Sequence, residues 1–202
     1  VTGVQTCALP ISTEADEAKR KKYKAEKMMV WLLTFSVIMI FAGLTSAYII
    51  RKESKDWITF RLPDIYFIST AVLLISSATM ILAINSIKKG KAGPARIAMA
   101  VTLFLGIVFC YSQYSGFYEL HQQGIYSLGN KANIAASFIL VLTLTHVFHL
   151  VLAIGSVIWT FLKLLKGAYS PKDYHGLQLC ATFWHFMDIL WVYLFLFLYF
   201  IR

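Results

Sequence analysis

The chain has 202 residues, of which 58% are hydrophobic and only 14% charged, and its formal net charge is +9. A soluble domain of this size cannot bury so much apolar surface, so the composition indicates a polytopic membrane protein. The basic residues lie between the hydrophobic runs, which favours charges that flank membrane helices over nucleic-acid binding. Three scattered cysteines predict no disulfide framework.

The first 27 residues are predicted to form a cytoplasmic tail ahead of a single membrane domain at residues 28–202. Residues 15–27 (ADEAKRKKYKAEK) are highly charged and are predicted to be a helical lead-in to the first span. Residues 1–12 begin without methionine and are too short and too weakly apolar for a signal peptide. We interpret residues 1–12 as a non-native segment, which sequencing the gene upstream of Ser12 would test.

A helix needs about 20 apolar residues to cross the hydrocarbon core of a bilayer. Five runs meet this requirement, and they cover residues 28–50, 65–87, 96–118, 134–161 and 178–201. All four prolines lie outside these runs, as expected of residues that break helices. The sequence therefore predicts an all-α protein with five transmembrane helices and no internal repeat.

The distribution of Lys and Arg predicts the orientation of these spans. Thirteen of the 19 lie in the N-terminal tail and in the second and fourth connections, whereas six lie on the opposite side. Because positive charge accumulates on the cytoplasmic side, the N-terminus is predicted to be cytoplasmic and the C-terminus to face outward.

Several polar side chains lie in or beside the predicted spans, where their burial needs an explanation. They are Gln113 and Glu119 by the third span, His146 and His149 in the fourth, and His185 and Asp188 in the fifth. A carboxylate facing lipid near the bilayer centre costs about 2.5–3.5 kcal/mol on insertion scales. We therefore predict that Asp188 faces protein and hydrogen-bonds His185, one turn away, which fixes the rotation of the last helix. Serines and threonines in the spans are interpreted as packing and hydrogen-bonding positions between helices.

The histidine spacing argues against haem ligation within the chain, and the sequence shows no ordered second shell for a metal site of His146, His149 and Asp188. His146 and His149 lie three residues apart on one helix face, so they cannot be the two axial ligands of one haem. His149 and His185 differ in predicted depth by about 8 Å at 1.5 Å per residue. With no nucleophile motif or phosphate-binding loop either, the residues indicate a component of a complex and not a catalyst.

The segment FWHFMDILWVYLF resembles the signature of subunit III of the haem-copper terminal oxidases, where a Tyr-Trp-His-Phe-Val-Asp core opens the final helix. The matching positions are Trp184, His185, Phe186, Asp188 and Trp191, while Phe183 replaces the usual tyrosine.

Three further segments are similar to the same family and occur in its order along residues 28–202. THVFHLVLAIG resembles the family's paired histidines through His146 and His149. SQYSGFYEL resembles a Gln-x-x-x-x-Tyr-Glu segment through Gln113, Tyr118 and Glu119. LPDIYFISTAVLLISSATMILAINS is similar to the family's proline-led helix. Four agreeing segments are more specific than any one of them.

Three positions depart from the family pattern. Many members carry a membrane glutamate in the first of these helices, where Ser36 is the nearest match here. Gly116 and Gln178 stand where the third and final helices usually have glutamates. Any role of those glutamates in proton handling or lipid contact is therefore in question for this chain.

The resemblance implies the short, five-helix bacterial form, with the first two helices splayed from the last three around a V-shaped groove filled by lipid. It implies an accessory core subunit of a proton-pumping cytochrome c oxidase in the aerobic respiratory chain of a bacterial plasma membrane. The partners would be subunit I, which it packs on, and subunit II. Haem a and copper would reside in those partners, and this chain would bind phospholipid and support proton uptake and stability.

The resemblance implies that the residues matching the family's motifs are structural, lipid-binding or subunit-contact candidates and not catalytic ones. They are His146, His149, Trp184, His185, Asp188, Trp191, Gln113 and Glu119. The electron donor is determined by subunit II, so a quinol oxidase or a homologue associated with nitric oxide reductase remains an alternative. A small multi-pass transporter or a haem-anchoring membrane protein is the alternative from another class.

Overall fold

The computed structural model describes residues 11–53, 65–122, 134–167, 169–171 and 173–201. Five helices in this part of the chain are α1 (Ile11–Lys52), α2 (Ile65–Lys88), α3 (Ala92–Gln122), α4 (Ile134–Leu165) and α5 (His175–Ile201). Each is long and apolar enough to cross a membrane. The prediction of an all-α protein with five transmembrane helices is confirmed.

The helices extend beyond the predicted apolar runs, because hydropathy marks only the part that crosses the hydrocarbon core. The charged lead-in is helical as predicted and continues into α1 without interruption. Pro94 lies in the first turn of α3, where its missing N–H leaves no intrahelical hydrogen bond unmade. At the end of α2, Gly90 has φ +72°. The Lys91 N–H donates to the Ser86 carbonyl at 2.9 Å, a C-cap that favours glycine.

The last four helices form a closed ring, because α2 packs on α3, α3 on α4, α4 on α5 and α5 on α2. α1 lies outside this ring and packs against α4 and α5. It does so through one stripe of side chains, which comprises Thr34, Val37, Phe41, Thr45 and Tyr48. Their spacing of three or four residues places them on a single helix face.

The predicted V-shaped arrangement, with the first two helices splayed from the last three, is wrong for the described residues. Among the described residues α1 makes no packing contact with α2, whereas α2 and α3 form the most extensive interface in the bundle. Only residues 89–91 separate α2 from α3, so the two helices are antiparallel neighbours. The face of α2 turned inward carries Leu73, Met80 and Ala83, all fully buried.

Every helix also presents large apolar side chains to the outside of the bundle. Examples from successive helices are Trp31, Phe67, Phe104, Phe148 and Phe200. Exposed apolar side chains on every helix are the arrangement expected of a protein surrounded by lipid tails.

Candidate functional site

The two tryptophans of the last helix are anchored to α2 at matched heights. Trp184 is fully buried, and its Nε1 donates a hydrogen bond to Ser76 Oγ at 3.2 Å. Trp191, two turns further along, is 2% exposed, and its Nε1 donates to Thr70 Oγ1 at 3.1 Å. Because α2 and α5 run antiparallel, the two bonds join the helices in a fixed register. Each indole N–H therefore has an acceptor within the membrane interior.

The ring of Trp184 has room to lie between the helices because residue 106 is a glycine. A Cβ added at Gly106 of α3 would lie 2.8 Å from Trp184 Cη2, closer than real Cβ contacts allow. Ile154 of α4 is the next neighbour, at 3.6 Å from the same point. The glycine thus permits the close approach of α3 to the signature helix.

Four helices meet around the ring of Trp191. The ring of Phe109 on α3 lies 4.9 Å away at an interplanar angle of 85°, an edge-to-face contact. The imidazole of His146 on α4 lies 5.1 Å away, and the ring of Tyr66 on α2 lies 6.2 Å away. Such aromatic pairs contribute about 0.5–1.5 kcal/mol beyond their area burial. Trp191 is therefore the centre at which the ring of helices is packed.

The two histidines of α4 share a helix face, as predicted, but have different environments. His146 is fully buried, and neither of its ring nitrogens has a hydrogen-bond partner in the described part of the chain. His149 is 9% exposed, and its Nδ1 donates to the Thr145 carbonyl of its own helix at 2.7 Å. Phe41 of α1 covers both imidazoles, with ring centroids 6.4 and 6.0 Å away. These contacts join α1 to the ring of helices.

The prediction for Asp188 is confirmed in one part and wrong in the other. Asp188 faces protein, since it is only 3% exposed. It does not hydrogen-bond His185, because neither carboxyl oxygen has a hydrogen-bond partner among the described residues. His185 Nδ1 instead shares a 2.6 Å hydrogen bond with Ser77 Oγ of α2.

The two candidate residues on α3, Gln113 and Glu119, differ in burial. Gln113 is buried, and neither atom of its amide has a hydrogen-bond partner in the described part of the chain. Glu119 lies near the C-terminal end of α3 and is exposed. Gln113, His146 and Asp188 are therefore each buried, whereas Glu119 lies at the surface.

The structure gives a physical reason for one departure from the family pattern. A Cβ at Gly116 would lie 3.0 Å from Cζ of Tyr66 and 3.3 Å from a methyl carbon of Ile65. A glutamate at this position would have to displace the tyrosine ring. Ser36 lies on the exposed side of α1, and Gln178 is half-buried near the start of α5.

Sequence reasoning did not pair the hydroxyls of Thr70, Ser76 and Ser77 with the last helix. It treated the serines and threonines of the spans together, as positions for packing and hydrogen bonding between helices. The useful signal is their spacing. Thr70 and Ser76 lie six residues apart on α2, which nearly equals the seven residues between the two tryptophans of α5.

No group of three or more His, Cys, Asp or Glu side chains in the described ranges is placed to hold a metal ion. Cys110 and Cys180 are free thiols. Cys7, the remaining cysteine, lies outside the described residues.

Comparison with known proteins places the chain in a family. A family model described as cytochrome c oxidase subunit III matches residues 58–202. The chain is 27% identical over 172 residues to quinol oxidase subunit 3 of Bacillus spizizenii. This match covers 82% of this chain and 81% of that protein. The chain is 28% identical to cytochrome c oxidase subunit 3 of Gallus gallus over 136 residues and of Mus musculus over 139 residues. Those matches cover 67% of this chain and 50% of each relative.

The fold and the buried site define a polytopic membrane subunit whose last helix is tied to its neighbours by tryptophan, histidine and hydroxyl contacts. The family model matches well over half of the chain. The chain belongs to the cytochrome c oxidase subunit III family, within the haem-copper oxidases. It spans about half the length of the animal relatives that it matches.

Proposed function

We propose that this chain is an accessory core subunit of a proton-pumping haem-copper oxidase and carries no redox centre itself. Membership of the family supports the assignment to an oxidase complex. The packing of the signature residues supports the proposal that the chain has an accessory role in it. Trp184 and Trp191 direct their only polar atoms into hydrogen bonds within the chain. These side chains therefore stabilise the helix bundle. The oxygen chemistry is proposed to take place in partner subunits that hold haem a and copper.

The apolar outside of the bundle is the surface proposed to pack on subunit I, with subunit II in the same complex. Phospholipid would cover the parts of this surface that no subunit contacts. By holding the neighbouring subunit I, the chain would support the stability of the oxidase and the uptake of protons during turnover. Tight internal packing around Trp191 suits this role, because a rigid surface loses little conformational freedom when a partner binds.

Cytochrome c is the proposed electron donor, in keeping with the family description. A quinol oxidase is the second candidate, favoured by one observation. The match to the Bacillus quinol oxidase subunit covers 82% of this chain, against 67% for the cytochrome c oxidase subunits. Oxygen uptake by the purified complex separates the candidates. Reduced cytochrome c should support turnover, and turnover with a quinol alone would establish the second candidate.

The proposed location is a bacterial plasma membrane, with the N-terminus in the cytoplasm and the C-terminus in the periplasm. The distribution of Lys and Arg supports this orientation. Single cysteines placed at the two ends of a cysteine-free chain test it. A membrane-impermeant maleimide should label the C-terminal cysteine in intact cells and the N-terminal cysteine only after lysis, and the reverse pattern would invert the topology.

The chain is proposed to act as part of a complex. The test is to purify an affinity-tagged full chain from its native membranes and to identify what copurifies with it. Haem a, copper and two larger membrane subunits should accompany it in fixed proportion. A tagged chain that is purified alone from gently solubilised membranes would favour the small transporter.

A further inference from the structure

His185 lies on the outer side of the seam between α2 and α5, where only one of its two ring nitrogens is paired. The residue is half-buried, and its Nδ1 shares the 2.6 Å hydrogen bond with Ser77 of α2. Nε2 has no hydrogen-bond partner among the described residues, and it is not among their unpartnered atoms that are buried. In a neutral imidazole one nitrogen donates a hydrogen bond and the other accepts one. The ring therefore presents an unpaired polar atom to the surroundings of the bundle.

This nitrogen lies at a depth that water and lipid headgroups do not reach. The exposed indole of Trp159, with Lys163 Nζ 5.4 Å above it, marks the membrane interface on α4. Ser156 lies about 4.5 Å deeper on that helix, and its Oγ is 3.5 Å from Cys180 Sγ of α5. His185 follows Cys180 by five residues, which adds about 7.5 Å. The imidazole is therefore about 12 Å below the interface, near the middle of a hydrocarbon core about 30 Å thick.

The side chains that surround the imidazole on this outer surface are large and apolar. Leu74 and Ile81 lie one turn to either side of Ser77 on α2, and Ile189 lies one turn beyond His185 on α5. All three are exposed, Ile189 to 68%. Lipid tails would cover the aliphatic chains, but they have no group that pairs with the imidazole nitrogen. A membrane helix with one polar side chain fits both parts of the surface, because such side chains form hydrogen bonds between helices within a bilayer.

We propose that the patch of Leu74, Ser77, Ile81, His185 and Ile189 is a docking site for a transmembrane helix of a neighbouring subunit. A polar side chain of that helix pairs with His185 Nε2, and its aliphatic side chains cover the surrounding residues. The inference rests on the proposed function, because the neighbour is taken to be a different subunit of the oxidase. In a symmetric pair of this chain two identical patches would meet, and their imidazoles would pair only in unlike tautomers.

Photo-crosslinking in native membranes tests where the docking site lies. The photoreactive residue p-benzoylphenylalanine is placed at Ile189 of the affinity-tagged full chain. The control position is Ile107, an exposed residue of α3 beside Gly106, at the level of Trp184. The probe at Ile189 should join the chain to a different membrane polypeptide, and the probe at Ile107 should do so much less. Attachment to a second copy of this chain, or equal yields from the two positions, would overturn the proposal.

Copurification on the same tag distinguishes a failure of this proposal from a failure of the proposed function. If haem and larger subunits accompany the chain but Ile189 forms no crosslink to them, the docking site is wrong and the proposed function stands. If the chain is purified without haem and without other subunits, both are wrong.

Two substitutions of His185 separate its outward contact from its inward one. The side-chain amide of asparagine occupies the position of Nδ1, whereas the longer side chain of glutamine carries its amide to the position of Nε2. His185→Asn should therefore keep the contact with Ser77 and lose the contact with the partner helix. His185→Gln should lose the contact with Ser77 and keep the one with the partner helix.

The assay is rebinding of the fluorescently labelled full chain to oxidase from which this subunit has been removed. His185→Asn should raise the concentration for half-maximal rebinding about 3- to 18-fold, the equivalent of about 0.6–1.7 kcal/mol for one hydrogen bond between membrane helices. His185→Gln should rebind more tightly than His185→Asn, although unfolding in SDS micelles should show His185→Gln to be the less stable chain. If His185→Asn rebinds as tightly as the unsubstituted chain, Nε2 has no partner and the proposal is wrong.

Discussion

Replacing Gly106 by alanine tests the packing of the signature helix most sharply. The added Cβ would start 2.8 Å from Trp184 Cη2, and ordinary contact begins at 3.4 Å, so the indole must move by about 0.6 Å. Trp184 is fully buried and is held by its 3.2 Å hydrogen bond to Ser76. The ring therefore has no open space to enter, and its movement lengthens the bond.

The expected loss follows from these two effects. Overpacking a close-packed core costs about 1–3 kcal/mol. A hydrogen bond between membrane helices contributes about 0.6 kcal/mol on average and up to about 1.7 kcal/mol. Gly106→Ala should therefore lower the free energy of unfolding by about 2–4 kcal/mol relative to a glycine-to-alanine change that meets no neighbour. Gly155→Ala on α4 supplies that reference, because a Cβ there meets nothing within 4 Å.

The assay is reversible unfolding of the purified chain in mixed micelles of increasing SDS content, followed by circular dichroism. Trp184→Phe provides a second check, since phenylalanine lacks the atom that the new methyl group would meet. Combined with Trp184→Phe, Gly106→Ala should cost less than it does alone, a non-additivity that a double-mutant cycle measures. If Gly106→Ala and Gly155→Ala were equally stable, the close approach of α3 to α5 would be refuted.

Three further predictions use the same bundle. Thr70→Val should cost about 0.6–1.7 kcal/mol of unfolding free energy, and Trp191→Phe should cost more, because it also disturbs the packing of the ring. The double variant should cost less than the sum, and full additivity would mean that the two side chains do not interact. Asp188→Leu should lower the yield or working life of the assembled oxidase while initial turnover stays near normal, and turnover lost from the first cycle would place Asp188 on the proton route. Gly116→Glu should destabilise the chain by more than 1 kcal/mol, because the side chain displaces Tyr66; unchanged stability in the SDS assay would contradict that contact.

The spans could be predicted from sequence because hydrophobic length alone determines them in a bilayer. The helical lead-in before the first span was predicted too, and so was the inward orientation of Asp188, since a carboxylate facing lipid is costly. Hydropathy does not reveal which faces of the helices meet. The placement of α1 outside the ring, on α4 and α5, therefore could not be predicted, and the splayed arrangement expected for α1 and α2 was wrong.

The finer contacts of the site depend on distances between helices that no local pattern contains. Spacing on α5 made His185 the natural partner of Asp188, but the hydroxyl of Ser77 on α2 lies 2.6 Å from the imidazole and pairs with it instead. Gly106 and Gly116 have no side chain from which a contact between helices could be predicted. Their importance appears only when Trp184 and Tyr66 are seen against them.

The central claim is that this chain belongs to an oxidase without holding a redox centre. The most direct measurement strips this subunit from the purified complex with a harsher detergent and records haem spectra and copper content of both fractions. The account predicts that the remaining complex keeps all of its haem and copper, and that the released chain shows no Soret band and no copper. A stoichiometric Soret band in the released chain would contradict it.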